Sequence, residues 1–133
     1  MLFIWVPYIW GGNSPLTGFD CSGLIVEGLK SEGIVKYYED LSAQGIFDRL
    51  QGYYKEFDPS CKRIRRGDLL FFGKSPKQIA HVGLAVDPNR MLESGGGDSE
   101  TKCREDAEKR NAMVRIRPIN YRSDLTGIIT IGL

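Results

Sequence analysis

"TGFDCSGLIVEGL", residues 17–29, sets a cysteine between a Gly-containing approach and an apolar run at helical spacing. Leu24, Ile25 and Leu29 recur at intervals that place them on one face of a helix, Asp20 is a residue type that caps a first turn, and Gly33 can end the last. The spacing therefore predicts a helix that begins on Cys21. Upstream, "PYIWGGNSPLTGF" at 7–19 is dense in Gly, Pro and Asn, which a helix or strand interior would not tolerate, and reads as a shaped loop. A thiol at the end of such a loop sits among first-turn N–H groups and the positive end of the helix dipole, which favour the thiolate and can hold an oxyanion.

Further along, "LSAQGIFDRLQ" at 41–51 predicts a second helix started by Ser42, and a polar segment runs on to "CKRIRRGD". "GDLLFFG" at 67–73 and "AHVGLAVD" at 80–87 read as neighbouring strands, and "DPNR" turns the chain into "MLES" at 91–94. The charged run "DSETKCREDAEKRNA" at 98–112 shows no core stripe and reads as an exposed helix or a solvated loop. "MVRIRPI" and "GIITIGL" close the chain as two more strands. Helices before a run of strands indicate an α+β fold, with N-terminal helices packed on an antiparallel sheet.

The 133 residues are the size of one domain, so a single domain over 1–133 is expected, with excision from a longer protein left open. Eighteen basic against seventeen acidic residues leave a net charge of +1, which offers no global field for nucleic acid or membrane. The basic run "KRIRR" at 62–66 reads as a solvated loop before a strand. The opening "MLFIWVPYIW" is too short to span a bilayer and lacks the charged leader and cleavage site of a signal peptide, so any export would use a signal outside this stretch or another route. A monomer without membrane insertion is the expectation.

Cys21, Cys61 and Cys103 form no CxxC pair, and with the single histidine they show none of the short paired spacings of a zinc site. Neither a metal nor another cofactor is expected. Cys61 and Cys103 read as ordinary thiols or as a mutual disulfide.

A thiolate nucleophile needs a base, and His81 in "IAHVGLAV" is the chain's one histidine. On position alone, a half-buried core histidine is the plainer reading of His81. Glu93 in "RMLESGGG" follows on the next strand, where a carboxylate could accept the other ring N–H, although a polar strand end reads equally well. Asp87, before Pro88, is better used by the turn. Gly95, Gly96 and Gly97, followed by the charged segment to Asn111, read as a variable surface loop more readily than as a mobile rim over a cleft.

"PYIWGG", "GFDCSGL", "RRGDLLFF" and "AHVGLAV", in this order and spacing, resemble the NlpC/P60 family of papain-like cysteine peptidases that cut peptidoglycan stem peptides. The resemblance runs from Pro7 to about Gly97. It implies a papain-like NlpC-type fold, Cys21 as nucleophile, His81 as general base, and Tyr8 beside the thiolate at the oxyanion site. It also implies that Asp20 and Ser22 contact substrate where a free peptide amine is recognised. The third catalytic position of the family, commonly a histidine, falls on Glu93. The implied partner is a peptidoglycan peptide, and the implied place of action is secreted, periplasmic or virion-associated. The "MLESGGG" and "MVRIRPI" segments are similar to members carried by phages and mobile elements. Family domains usually have a helix before the "PYxWGG" motif, whereas here six residues precede Pro7. Two other readings of the same chain stay open: a wall-binding module that does not turn over substrate, and a thiol amidase or acyltransferase acting on another acyl group.

Overall fold

In the computed structural model, described for residues 8–9, 12–14, 18–36, 39–60, 63–97 and 100–131, eight strands and three α-helices are found. The short strands β1 (Asn13–Ser14) and β2 (Gly18–Phe19) pair antiparallel. Helix α1 (Cys21–Ser31) follows, then α2 (Ala43–Leu50), β3 (Lys55–Phe57), β4 (Leu69–Gly73), β5 (Ile79–Ala85) and β6 (Arg90–Gly95). Helix α3 (Arg104–Arg110) and β7 (Met113–Pro118) come next, a 3₁₀ turn spans Ile119–Tyr121, and β8 (Leu125–Thr130) ends the set. The larger sheet has the strand order β3-β8-β4-β5-β6-β7. Two compact units divide the chain: Met1–Leu41 with Glu93–Ile116, and Ser42–Leu92 with Arg117–Leu133.

The second unit is built on β4. All five of its residues are buried, which explains an unbroken "LLFFG" rather than an apolar-polar alternation: both faces of the strand are covered. On one face Leu70 and Phe72 pack with Ala85, Met91, Ile119 and Ile128. On the other, Phe71 meets Phe47 of α2 edge-on, ring centroids 5.0 Å apart. Helix α2 presents Ala43, Ile46, Phe47 and Leu50 inward, spaced three and four apart, and Ser42 caps it by accepting the Gly45 N–H at 3.0 Å. In the β4–β5 ladder Phe72 lies opposite His81, and β4 pairs on its other edge with β8, Phe72 opposite Leu125. Asp68, buried before β4, accepts from the Arg65 N–H and the Thr130 hydroxyl, both at 2.9 Å. The β5–β6 hairpin turns on Asp87, whose carboxylate accepts the Asn89 and Arg90 N–H groups at 2.8 Å each, so this residue does serve the turn.

Within the first unit, α1 buries Leu24, Ile25 and Leu29, as its periodicity predicts, and Val26 as well. Of the charged run at 98–112, Arg104–Arg110 form the mostly exposed helix α3, with one correction: Ala107, and Ala112 just beyond the helix, are buried against Tyr8. One alanine is too little to register as a stripe. Helix α3 ends on Asn111, held at φ 53°, and Arg104 and Glu108 face each other one turn apart at 3.3 Å. The sequence reading misses strand β3, as it does the short β1 and β2 inside the stretch expected as a loop. In β3, Lys55 and Glu56 are exposed, and the strand is recognisable only by its pairing with β8. No described helix is long and apolar enough to cross a membrane.

Candidate active site

Helix α1 begins on Cys21 itself, and the residues around it explain why. Asp20 is extended (φ −81°, ψ −178°), and its side chain accepts the Gly23 N–H at 2.6 Å, the geometry of an N-cap. The Ser22 hydroxyl donates to the same Asp20 oxygen at 3.2 Å. Asp20 and Ser22 are thereby brought together. Gly23 comes so close to the Gly12 carbonyl that a Cβ there would collide with it, and the Asp20 N–H donates to that same carbonyl at 3.1 Å. Gly12 and Gly23 thus let the loop lie against the first turn of the helix, with Cys21 half-buried as a thiol.

Tyr8 is 4% exposed and forms a parallel bridge with Phe19, and its N–H donates to the Ala112 carbonyl at 3.0 Å. The Phe19 carbonyl accepts from the Ile9 N–H at 3.1 Å and from the buried Ser94 hydroxyl at 2.7 Å. Ser94 therefore ties the end of β6 to the chain two residues before Cys21. The sequence reading does not single it out, and its one signal is a hydroxyl next to Glu93 at the buried end of the strand.

Glu93, 2% exposed, belongs to this unit, and a side chain at Gly95 would meet its Oε1 at 2.9 Å. Gly97 lies against the Tyr8 ring so tightly that any Cβ would strike it. This corrects the view of 95–97 as a variable surface loop: Gly95 is a buried strand end, and Gly97 is the backbone on which Tyr8 rests.

His81 stands in the second unit, on β5, 6% exposed, its ring 5.7 Å from that of Phe72. A buried imidazole in a paired strand, packed on an aromatic ring, has little rotameric freedom. The structure thus distributes the six singled-out residues as Tyr8, Asp20, Cys21, Ser22 and Glu93 in one unit and His81 in the other. Cys61 lies outside the described residues, as do Pro7, Trp10 and Gly11 of the first motif; Cys103 is an exposed thiol at the start of α3.

Residues 5–117 match the model of the NlpC/P60 family. The chain belongs to the NlpC/P60 family. Among curated relatives, it is 38% identical over 90 residues to the bifunctional muramidase/DL-endopeptidase CwlT of Bacillus subtilis, covering 66% of this chain and 25% of that protein. Among solved structures, an NlpC/P60 family protein from Bacillus cereus superposes with a TM-score of 0.69 at 25% identity, covering 96% of this chain and 36% of that one. RipD from Mycobacterium tuberculosis, described as a non-catalytic NlpC/p60 domain protein adapted to peptidoglycan binding, superposes with a TM-score of 0.65 at 22% identity, covering 99% of this chain and 90% of that one. The chain spans between 25% and 39% of the length of four of its curated relatives. The α+β fold expected from the sequence, helices on an antiparallel sheet, is the fold of these NlpC/P60 domains.

Proposed function

We propose that this NlpC/P60 domain is a cysteine endopeptidase that hydrolyses amide bonds in peptidoglycan stem peptides. The observation that carries the reading is that α1 starts on Cys21, with Asp20 as its cap, in a chain with relatives named as murein and peptidoglycan endopeptidases. Cys21 is the nucleophile. His81 takes its proton, the thiolate sulfur attacks the amide carbon, and the first-turn N–H groups of α1 together with Tyr8 hold the oxyanion. The C–N bond breaks as His81 returns the proton to the leaving amine, and water then cleaves the thioester. Glu93 accepts the second ring N–H of His81 and keeps its tautomer. Asp20 and Ser22, already joined at the helix cap, receive the amine of the peptide. No step requires a metal. The site of action is outside the cytoplasmic membrane, where the polymer lies.

The fold alone does not distinguish hydrolysis from wall binding, since RipD shares it. Incubating purified wall fragments with wild type and with Cys21→Ser separates the two. The expected result is new free amines and truncated stem peptides, identified by mass spectrometry, with wild type only. Fragments that are bound by both proteins and cut by neither would establish the binding module instead.

A further inference from the structure

The lead into β8 carries a charge pair that the steps above do not use. Arg122 donates to both carboxylate oxygens of Asp124, from Nε at 2.9 Å and from Nη2 at 2.7 Å, a bidentate arrangement. The two side chains are 32% and 37% exposed, so water screens them only in part.

Their position is specific. The Arg122 guanidinium carbon lies 5.4 Å from the centroid of the Phe72 ring, and the Phe72 ring is 5.7 Å from that of His81. The sheet creates this neighbourhood: Phe72 pairs with His81 on one side and with Leu125 on the other, while the Asp124 carbonyl accepts the Gly73 N–H at 2.9 Å. A register shift between Phe71 and Phe72 in the β4–β8 ladder breaks the regular pairing at that point, the kind of irregularity that re-aims side chains. The carboxyl of Asp124 is held below its ordinary value of 3.8, first by the hydrogen bond from Arg122 and more weakly by the charge of His81. Asp124 therefore feels the imidazole as well as its own partner.

We infer that Arg122 and Asp124 are positioning residues for His81, two opposed charges set beside the base by way of Phe72, one favouring the imidazolium and the other opposing it. The inference rests on the role proposed for His81 above. Other charged groups on the elements that pair with or pack on β5 are Arg90 and Glu93 on β6, Lys74 and Lys77 in the β4–β5 turn, and Asp48 and Arg49 on α2. Lys74, Lys77, Arg90 and Asp48 are exposed, and α2 meets β4 at Phe71, on the face opposite Phe72. None of these groups changes in the variants that test the pair.

His81 is the chain's one histidine, so its imidazole resonances can be followed by NMR without assignment. Wild type, Asp124→Asn and Arg122→Gln are titrated without substrate. Removing the carboxylate leaves a cation beside the imidazole, so the His81 midpoint falls; removing the guanidinium leaves an anion, so it rises. Each shift should be about 0.3 units or more, the scale of a unit charge at this kind of separation behind partial screening. Smaller shifts, or shifts in the same direction, overturn the inference. Should Asp124→Asn fail to fold, the Arg122→Gln midpoint decides alone: a rise supports the pair, and no rise removes it. Opposite shifts in a protein that releases no amine from wall fragments would sink the hydrolase reading and leave the charge pair standing. Unmoved midpoints in a protein that hydrolyses would do the reverse.

Discussion

Around Cys21 the chain is held by a helix cap, backbone contacts through glycine and a buried serine, whereas around His81 it is held by buried aromatic and aliphatic side chains. The half around Cys21 depends on backbone geometry, because there the loop is pressed against the first turn of α1. The half around His81 depends on volume, because a side chain on a strand is aimed by its neighbours in the sheet. Substitutions should therefore act differently in the two halves.

The largest loss of stability is expected from Phe71→Ala, which empties the space between β4 and α2. It should cost about 3–5 kcal/mol in chemical denaturation, with Phe71→Leu costing clearly less, since volume decides the outcome there. Gly23→Ala comes next, at about 1–3 kcal/mol, because the Gly12 carbonyl must move to admit one methyl group. Here the adjacent thiol should lose its reactivity out of proportion to the stability lost, as measured by alkylation of the folded protein. If Gly23→Ala were neutral in both measurements, the contrast between the halves would fail.

Much of this contrast is legible in the amino-acid sequence, and the reasons for the gaps are physical. The helix at Cys21 and its Asp20 cap, the α2 start at Ser42 and the turn at Asp87 all follow from local residue chemistry, and the structure has them there. Strand β3 escapes because Lys55 and Glu56 face solvent at a sheet edge and leave no alternation to read. Ala107 and Ser94 escape because each makes its contact with a residue far along the chain, at Tyr8 and Phe19. The work of Gly97 is hidden for the same reason. A glycine's neighbour across space leaves no trace in its neighbours along the sequence.

Smaller effects sharpen the comparison. Asp20→Ala removes the side-chain acceptor of the Gly23 N–H and should cost about 1–2 kcal/mol, the range for loss of an N-cap, whereas Asp20→Asn keeps an acceptor and should cost less. Thermal denaturation of both variants checks this. The smallest effect is expected at Asp87, a partly exposed carboxylate held below 3.8, first by the Asn89 N–H and then by the Arg90 side chain. A carboxyl whose folded value is depressed contributes stability above its unfolded value and loses it as pH falls through the folded one. Acid titration of Asp87→Asn should therefore show slightly lower stability at neutral pH and a shallower decline below about pH 4 than wild type. An unchanged acid limb would show that the hairpin does not use this charge.

The central proposal is that the reactivity of the Cys21 thiol depends on His81, and the most direct measurement is the rate at which iodoacetamide alkylates each cysteine across pH, resolved by peptide mass spectrometry. In wild type, half-buried Cys21 should react at least about tenfold faster at neutral pH than exposed Cys103, and in His81→Ala that advantage should vanish while Cys103 is unaffected. Equal rates at Cys21 in the two proteins, with the same pH dependence, would contradict the account.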